Sequence, residues 1–277
     1  MYELLKEVIS RAQNLHKKYH IKIAFPEYED SRIRNAIRIL KSKRICEPVL
    51  VKPGFLHTST TSSVALLLKG EVDAIISGSH HSSTDVLLLA FKFKDPEVKR
   101  VSGTMLMIPK KGMPLLFADV AAQPNPSSEQ LAEIALLSAK NYKLITRKKP
   151  VIALLSYSTH GSGKGHRPLE IKEAVKIVKR KSDFKVDGEI QLDAALVPWI
   201  SKLKNAEIEG NANVLIFPNL DSGNIGYKLL ERLGEYKAVG AILQGMEKQV
   251  NDLSRGCSVE DIINLAAVTV LQVAEKK

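Results

Sequence analysis

The chain has 277 residues, 44% of them hydrophobic and 26% charged, the balance of a soluble globular protein with room for one large domain or two ordinary ones. No apolar run reaches the length of a membrane span, and the opening MYELLKEVISRAQ patterns as an amphipathic helix rather than a signal peptide, which argues against a membrane or secreted protein. Only Cys46 and Cys257 occur, far apart, so a disulfide scaffold and a clustered thiolate metal site are both excluded, and a cytoplasmic location is expected.

Forty-one basic residues against thirty acidic ones give a net charge of +11. They are scattered over several helices without a basic block, and aromatic residues are only 5%. That scatter reads as a Lys-rich solvated surface or as attraction for anionic small molecules, not as a nucleic-acid footprint.

Strand and helix patterns alternate from the start. After the first helix, Ile21 to Phe25 reads as a strand, and Asp30 is placed to cap a helix carrying Ile33, Ile37 and Leu40. Pro48 to Val51 is the next strand, a helix runs through Val64 to Leu68, and Val72 to Ser77 is a buried strand closed by Gly78. A helix from Val86 to Phe91 follows, then strands Thr104 to Ile108 and Pro114 to Ala118 about the Lys110-Lys-Gly112 turn. Ser127 caps a long helix through Leu131, Ile134 and Leu137.

The polar stretch Thr146 to Lys149 then opens a second α/β set. Its strands are Val151 to Leu155, Val186 to Ile190, Asn213 to Phe217 and Ala238 to Leu243; its helices are Leu169 to Lys179, Asp193 to Leu203 and Ile225 to Leu233. Such alternation implies mainly parallel sheets covered on both faces, with ligands beyond the carboxyl ends of the strands. Three of those ends carry small polar residues: Ser77-Gly78, Ser156-Tyr-Ser158, and Asn219 with Ser222 and Asn224. The expected division is residues 1–148 plus 253–277 for one domain and 149–252 for the other, with the C-terminal apolar helix packing on the first.

Several short motifs bear chemistry, each beside a plainer reading. Ser254-Arg-Gly256 joins a hydroxyl, a guanidinium fork and a glycine that permits close backbone approach. Ser258-Val-Glu-Asp261 fits a helix N-cap and first turn as well as it fits a placed carboxylate. The loop Gly161-Ser-Gly-Lys-Gly165 is neither a Walker A loop nor a dinucleotide fingerprint, and reads equally as an anion nest or a flexible connection. His80-His-Ser-Ser83 suits a hydrogen-bonding loop at a helix start, able to grip an anion, better than it suits a metal site. Cys257 has no histidine near it in sequence and reads as a small buried residue.

Read together, these segments resemble the phosphate acetyl/butyryltransferase family over nearly the whole chain. Pro26-Glu-Tyr-Glu-Asp-Ser-Arg32 resembles its Pro-Glu-Gly-Glu-Asp-x-Arg, and Val72 to Gly78 with His81-Ser-Ser83 resembles its Asp-Gly-x-x-Ser-Gly and His-Thr-Thr. Further similar stretches are Phe117-Ala-Asp119, Pro124-Asn-Pro126, Leu155-Ser-Tyr-Ser-Thr159, Asp187-Gly-Glu-Ile-Gln-Leu-Asp-Ala-Ala195 and Asn213 to Asn224.

The resemblance implies two α/β domains with an interdomain cleft, of isocitrate/isopropylmalate dehydrogenase type, and a homodimer. It implies reversible exchange of an acetyl group between coenzyme A and phosphate, with acetyl-CoA, phosphate and acetyl phosphate as the small-molecule partners. Neither metal nor prosthetic group is implied; coenzyme A is a substrate. By the same resemblance Asp261 would take the thiol proton, Arg255 would bind the phosphoryl group and Ser254 would donate a hydrogen bond. Arg32, His81, Ser82, Ser83, Asn219, Ser222 and Asn224 would bind substrate.

Two departures bear on the coenzyme A end. The family has a much longer segment where this chain runs from Val51 to Val64, and an arginine where this chain has Leu88. Each lost charge-assisted contact is worth roughly 1.5–3 kcal/mol. The alternatives to acetyl transfer are a longer acyl group such as butyryl, and a degenerate homologue kept for binding or assembly.

Overall fold

The structure is a computed structural model that describes residues 2–54 and 58–277. It forms two compact units, residues 1–101 with 239–277, and residues 102–238.

In the first unit the chain runs α1 (Glu3–Tyr19), β1 (Lys22–Phe25), α2 (Ser31–Ser42), β2 (Glu47–Leu50), α3 (Ser59–Lys69), β3 (Ala74–Ser77) and α4 (Ser83–Phe91). The second contains β4 (Ser102–Ile108), β5 (Leu115–Ala118), α5 (Ser128–Thr146), β6 (Val151–Leu155), α6 (His166–Lys181) and β7 (Lys185–Ile190). It continues with α7 (Leu192–Leu196), α8 (Pro198–Leu203), β8 (Val214–Ile216) and α9 (Leu220–Leu233). Then β9 (Lys237–Gln244) leads back into the first unit, which closes with β10 (Gln249–Asp252) and α10 (Val259–Ala274).

The first unit holds a parallel four-stranded sheet in the order β10-β3-β1-β2. In the second, the order β7-β6-β8-β5-β4 is parallel apart from the antiparallel β4–β5 pair. A mixed α/β fold with mainly parallel sheets is thus as expected.

The division between units falls elsewhere than at 148/149 and 252/253. Residues 102–148 go with the second unit because β5 pairs with β8. Gln249 to Asp252 go with the first because β10 pairs with β3.

Local chemistry explains the helix starts. Asp30 accepts from the Arg32 amide at 2.7 Å and starts α2. Reciprocal capping boxes open α4 (Ser82 with Asp85), α5 (Ser127 with Gln130) and α10 (Ser258 with Asp261). The helix expected over Asp193 to Leu203 is broken into α7 and α8 at Val197, whose backbone is extended (φ −116°, ψ 112°). Pro198 disfavours helical geometry in the residue before it. α9 begins five residues earlier than its apolar pattern suggests, because Asn219 caps it.

One core cluster of the first unit gathers Ala24, Ile75 and Val250, register partners on one face of the sheet, with Leu67, Val86, Leu89 and Leu243. α10 packs on α1 and α2, as the sequence led us to expect. Every residue from Ile262 to Val273 is buried, so this helix is enclosed all round instead of being amphipathic. Truncating a leucine there, such as Leu265 or Leu271, would cost about 2–5 kcal/mol.

Candidate active site

Because β10, β3 and β1 are parallel neighbours, their carboxyl ends open on one edge, and that edge receives three loops. The loop after β1 carries Glu27, Asp30 and, at the start of α2, Arg32. The loop after β3 carries Gly78 to Ser83. The loop after β10 carries Ser254, Arg255 and Cys257 ahead of Asp261 in α10. Sequence separation of more than 200 residues is thereby cancelled by topology.

Arg32 ties the three loops together. Its Nε and Nη2 donate to the Asp30 carboxylate (2.7–3.2 Å), its Nη1 to the carbonyls of Arg255 (2.8 Å) and Cys257 (2.9 Å), and its Nη2 also to the carbonyl of Ser79 (3.2 Å). A guanidinium has five N–H donors, and all five are engaged here. As folded, Arg32 is a brace and has no donor left for a ligand. Burial opposes ionisation of Asp30, yet the side-chain and backbone hydrogen bonds from Arg32 prevail and hold its pKa down at about 2.

The loop after β3 is organised by a residue of the Pro26 to Arg32 motif to which the sequence assigned no role. Glu27, with a side chain only 2% exposed, accepts from the amides of Gly78, Ser79, His80 and His81 at 2.7–3.1 Å. The Ser79 hydroxyl and His81 Nδ1 add two more bonds at 2.9 Å each. The amides that were expected to grip an external anion are therefore filled from within. His81 Nε2 lies 3.4 Å from the Thr60 hydroxyl. His80 pairs with Asp30 at 3.4 Å.

Ser82 is committed to its helix cap, donating to Asp85 at 2.6 Å. Ser83 is exposed and bonds the buried Asp252. Burial pushes the Asp252 carboxyl up to about 7; the Ser83 bond opposes this and the Glu27 charge reinforces it. Gly78 is required beside it: φ is +118°, and a Cβ there would lie 2.3 Å from Asp252 Oδ1 and 2.4 Å from the Leu253 carbonyl.

Ser254 and Arg255 are exposed, and the Arg255 charge is felt by Asp85. Asp261 occupies its cap: Oδ2 accepts from the amide and the hydroxyl of Ser258, each at 2.8 Å. Cys257 is buried, and its thiol is pushed up to about 11 chiefly by that burial, which suits a packing residue and not a thiolate nucleophile.

The second unit places Asn219, Ser222 and Asn224 together at the start of α9. Asn219 Oδ1 accepts from the Ser222 amide (3.0 Å), the Ser222 hydroxyl donates to the Asn219 carbonyl (2.9 Å), and Asn224 Nδ2 donates to the Val120 carbonyl (3.1 Å). The loop that Asn224 braces carries Asp119, which burial lifts to about 6 against the pull of the Ala121 and Ala122 amides. In the loop Ser158 to Gly165, the Ser158 hydroxyl and Gly161 amide bind the wholly buried Glu189 at 2.8 and 2.6 Å. A buried anchor on one side makes that glycine-rich loop a fastened structure instead of a free connection.

Among the described residues no group of three or more His, Cys, Asp or Glu is arranged to hold a metal, and no helix is long and apolar enough to cross a membrane. Of the shortened stretch after Val51, Phe55 to His57 lie outside the described residues. Leu88 lies on α4 and is 58% exposed.

Parallel α/β units with hydroxyl, imidazole and guanidinium groups collected at the strand carboxyl ends make this an α/β protein with a polar, partly cationic loop site. Comparison with known proteins narrows that class. Residues 54–270 match the family described as "Phosphate acetyl/butaryl transferase", and the chain belongs to that family. It is 46% identical over 217 residues to a phosphate acetyltransferase of Clostridium acetobutylicum, and 45% over 212 residues to one of Bacillus subtilis. These alignments cover 74% and 75% of this chain. They span 65% of each relative, slightly under two thirds of its length. The crystal structure of a phosphotransacetylase from Streptococcus pyogenes superposes with a TM-score of 0.90 at 33% identity, covering 98% of this chain and 99% of that one.

Proposed function

We propose that the protein is a phosphate acetyltransferase, interconverting acetyl-CoA and phosphate with acetyl phosphate and free coenzyme A. The observation that carries this reading is the placement of exposed Ser254 and Arg255, with Asp261 in the next helical turn, at the carboxyl edge of the first unit's sheet in a member of this family.

In the direction of acetyl-CoA formation, the coenzyme A sulfur attacks the carbonyl carbon of acetyl phosphate. The thiol proton passes to the Asp261 carboxylate, a tetrahedral oxyanion forms, and the carbon–oxygen bond to phosphate breaks. Only a few per cent of a free thiol is ionised at neutral pH, so a positioned base raises the share able to react. Arg255 offsets charge on the phosphoryl group and Ser254 donates to it, as fixed donors aimed at developing charge. No enzyme nucleophile is needed, in keeping with the buried Cys257. Arg32 supports the arrangement as the brace that sets the Arg255 backbone. The exposed Ser83 and the imidazole of His81 are the substrate-facing groups of their loop, with Ser82 holding the helix that presents them. Asn219, Ser222 and Asn224 are the second unit's substrate groups in this reading.

No metal or prosthetic group takes part in this scheme, and coenzyme A enters only as substrate. The proposal places the protein in the cytoplasm. It also includes a homodimer, supported by the apolar stripe Ile225, Leu229 and Leu233, which are 57%, 54% and 78% exposed on one side of α9.

Arg255→Ala tests the chemical assignment. Loss of one transition-state donor should lower kcat on the order of 100- to 1,000-fold. A variant with wild-type turnover in a thiol-release assay would remove Arg255 from the mechanism.

A further inference from the structure

Runs of consecutive backbone amides at a helix entrance ordinarily cradle an external anion. In this protein the run from Gly78 to His81 is filled by Glu27, carried there by the loop after β1. A carboxylate offers about four lone-pair sites, and six donors converge on this one. Charge-assisted bonds of this kind are short and strong, so the loop's shape is set by Glu27.

The last of the six donors is a ring nitrogen. Glu27 remains ionised despite its burial, because the amides of His81, His80 and Ser79 outweigh desolvation and hold its pKa below the usual value. An ionised carboxylate only accepts. The 2.9 Å contact with His81 Nδ1 therefore requires the proton on Nδ1. Nε2, the other ring nitrogen, lies 3.4 Å from the Thr60 hydroxyl on a side chain 37% exposed.

We propose that Glu27 is a positioning residue of the substrate site: it locks the 78–83 loop and fixes His81 as the Nδ1–H tautomer, so that His81 and Ser83 meet substrate in one preset geometry. This rests on the proposed function for the identity of the substrate, but the tautomer does not depend on it.

Glu27→Gln keeps size and one acceptor oxygen while replacing the other with an NH₂ group that must face a former donor. The expected response is a switch of His81 to the Nε2–H tautomer, with Nδ1 accepting from the new amide. Histidine ring ¹⁵N spectra, assigned by loss of the signal in His81→Asn, read this directly. Titration with inorganic phosphate, followed on the same signal, should show affinity weakened about 10-fold in Glu27→Gln. Kinetically, KM for acetyl phosphate should rise by a similar factor with a smaller change in kcat. Adding His81→Asn to Glu27→Gln should cost little more than either alone.

Wild-type protein carrying its proton on Nε2 would overturn the proposal without any variant having to fold. So would fully additive losses in the double variant, or unchanged phosphate affinity in Glu27→Gln. Should the wild type lack acyl transfer, the proposed function fails, and the spectra and phosphate titration still decide the role of Glu27.

Discussion

Asp252 shows how burial turns one side chain into a pH-dependent liability. The residue is 4% exposed, and burial pushes its carboxyl up to about 7 from an ordinary 3.8. The folded chain thus holds a proton between about pH 4 and pH 7 that the unfolded chain has released. Where the folded state binds more protons, stability falls as pH rises. This contribution is fully present below pH 4 and lost on passing through pH 7. A shift of about three units corresponds to ~4 kcal/mol. Asp252→Asn should flatten that part of the stability–pH curve and leave the variant at least as stable as wild type at pH 8, measured by urea midpoints across the range. A variant retaining the wild-type slope would show that another group is responsible. At this scale the sequence was half legible. The cap residues Asp30, Ser127 and Ser258 stand out because capping has a local signature. Glu27 and Asp252 do not, since their roles come from burial against a loop some fifty residues away in one case and a neighbouring strand in the other.

Among the elements, the expected strands and helices are present, save that the helix expected over Asp193 to Leu203 is split at Val197, because apolar periodicity is imposed by burial and survives as a pattern. β10 was invisible for the opposite reason. Its residues Gln249, Asn251 and Asp252 are polar yet buried, and the Asn251 amide bonds Thr269 and Gln272 of α10 at 2.8 Å each. A strand whose buried polar side chains, such as Asn251, are held by hydrogen bonds leaves no hydrophobic trace. α4 carries the prediction that belongs to this scale. Leu88 points to solvent while Leu89 is 5% exposed, so Leu88→Arg should alter stability by no more than about 0.5 kcal/mol. If the missing arginine weakens the coenzyme A end, the substitution should lower the apparent KM for coenzyme A about 10-fold or more. Tight coenzyme A binding by the wild type, unchanged in the variant, would mean that other groups already serve it.

The whole molecule was legible as class and family but not as a partition. Polar residues Thr146 to Lys149 look like a boundary, whereas the units divide at 101/102 and 238/239; strand pairing, not linker composition, decides membership. The exposed stripe on α9 predicts a solution mass near twice the 30.6 kDa of one chain, and a species of single-chain mass at micromolar concentration would contradict the dimer. The central claim is the reaction itself. Its most direct test is release of free thiol from acetyl-CoA by the purified protein, with and without inorganic phosphate and with butyryl-CoA alongside. The account predicts phosphate-dependent release from acetyl-CoA with acetyl phosphate formed in equal amount. Release from butyryl-CoA alone would move the protein to longer acyl groups, and no phosphate-dependent release from either thioester would contradict the account.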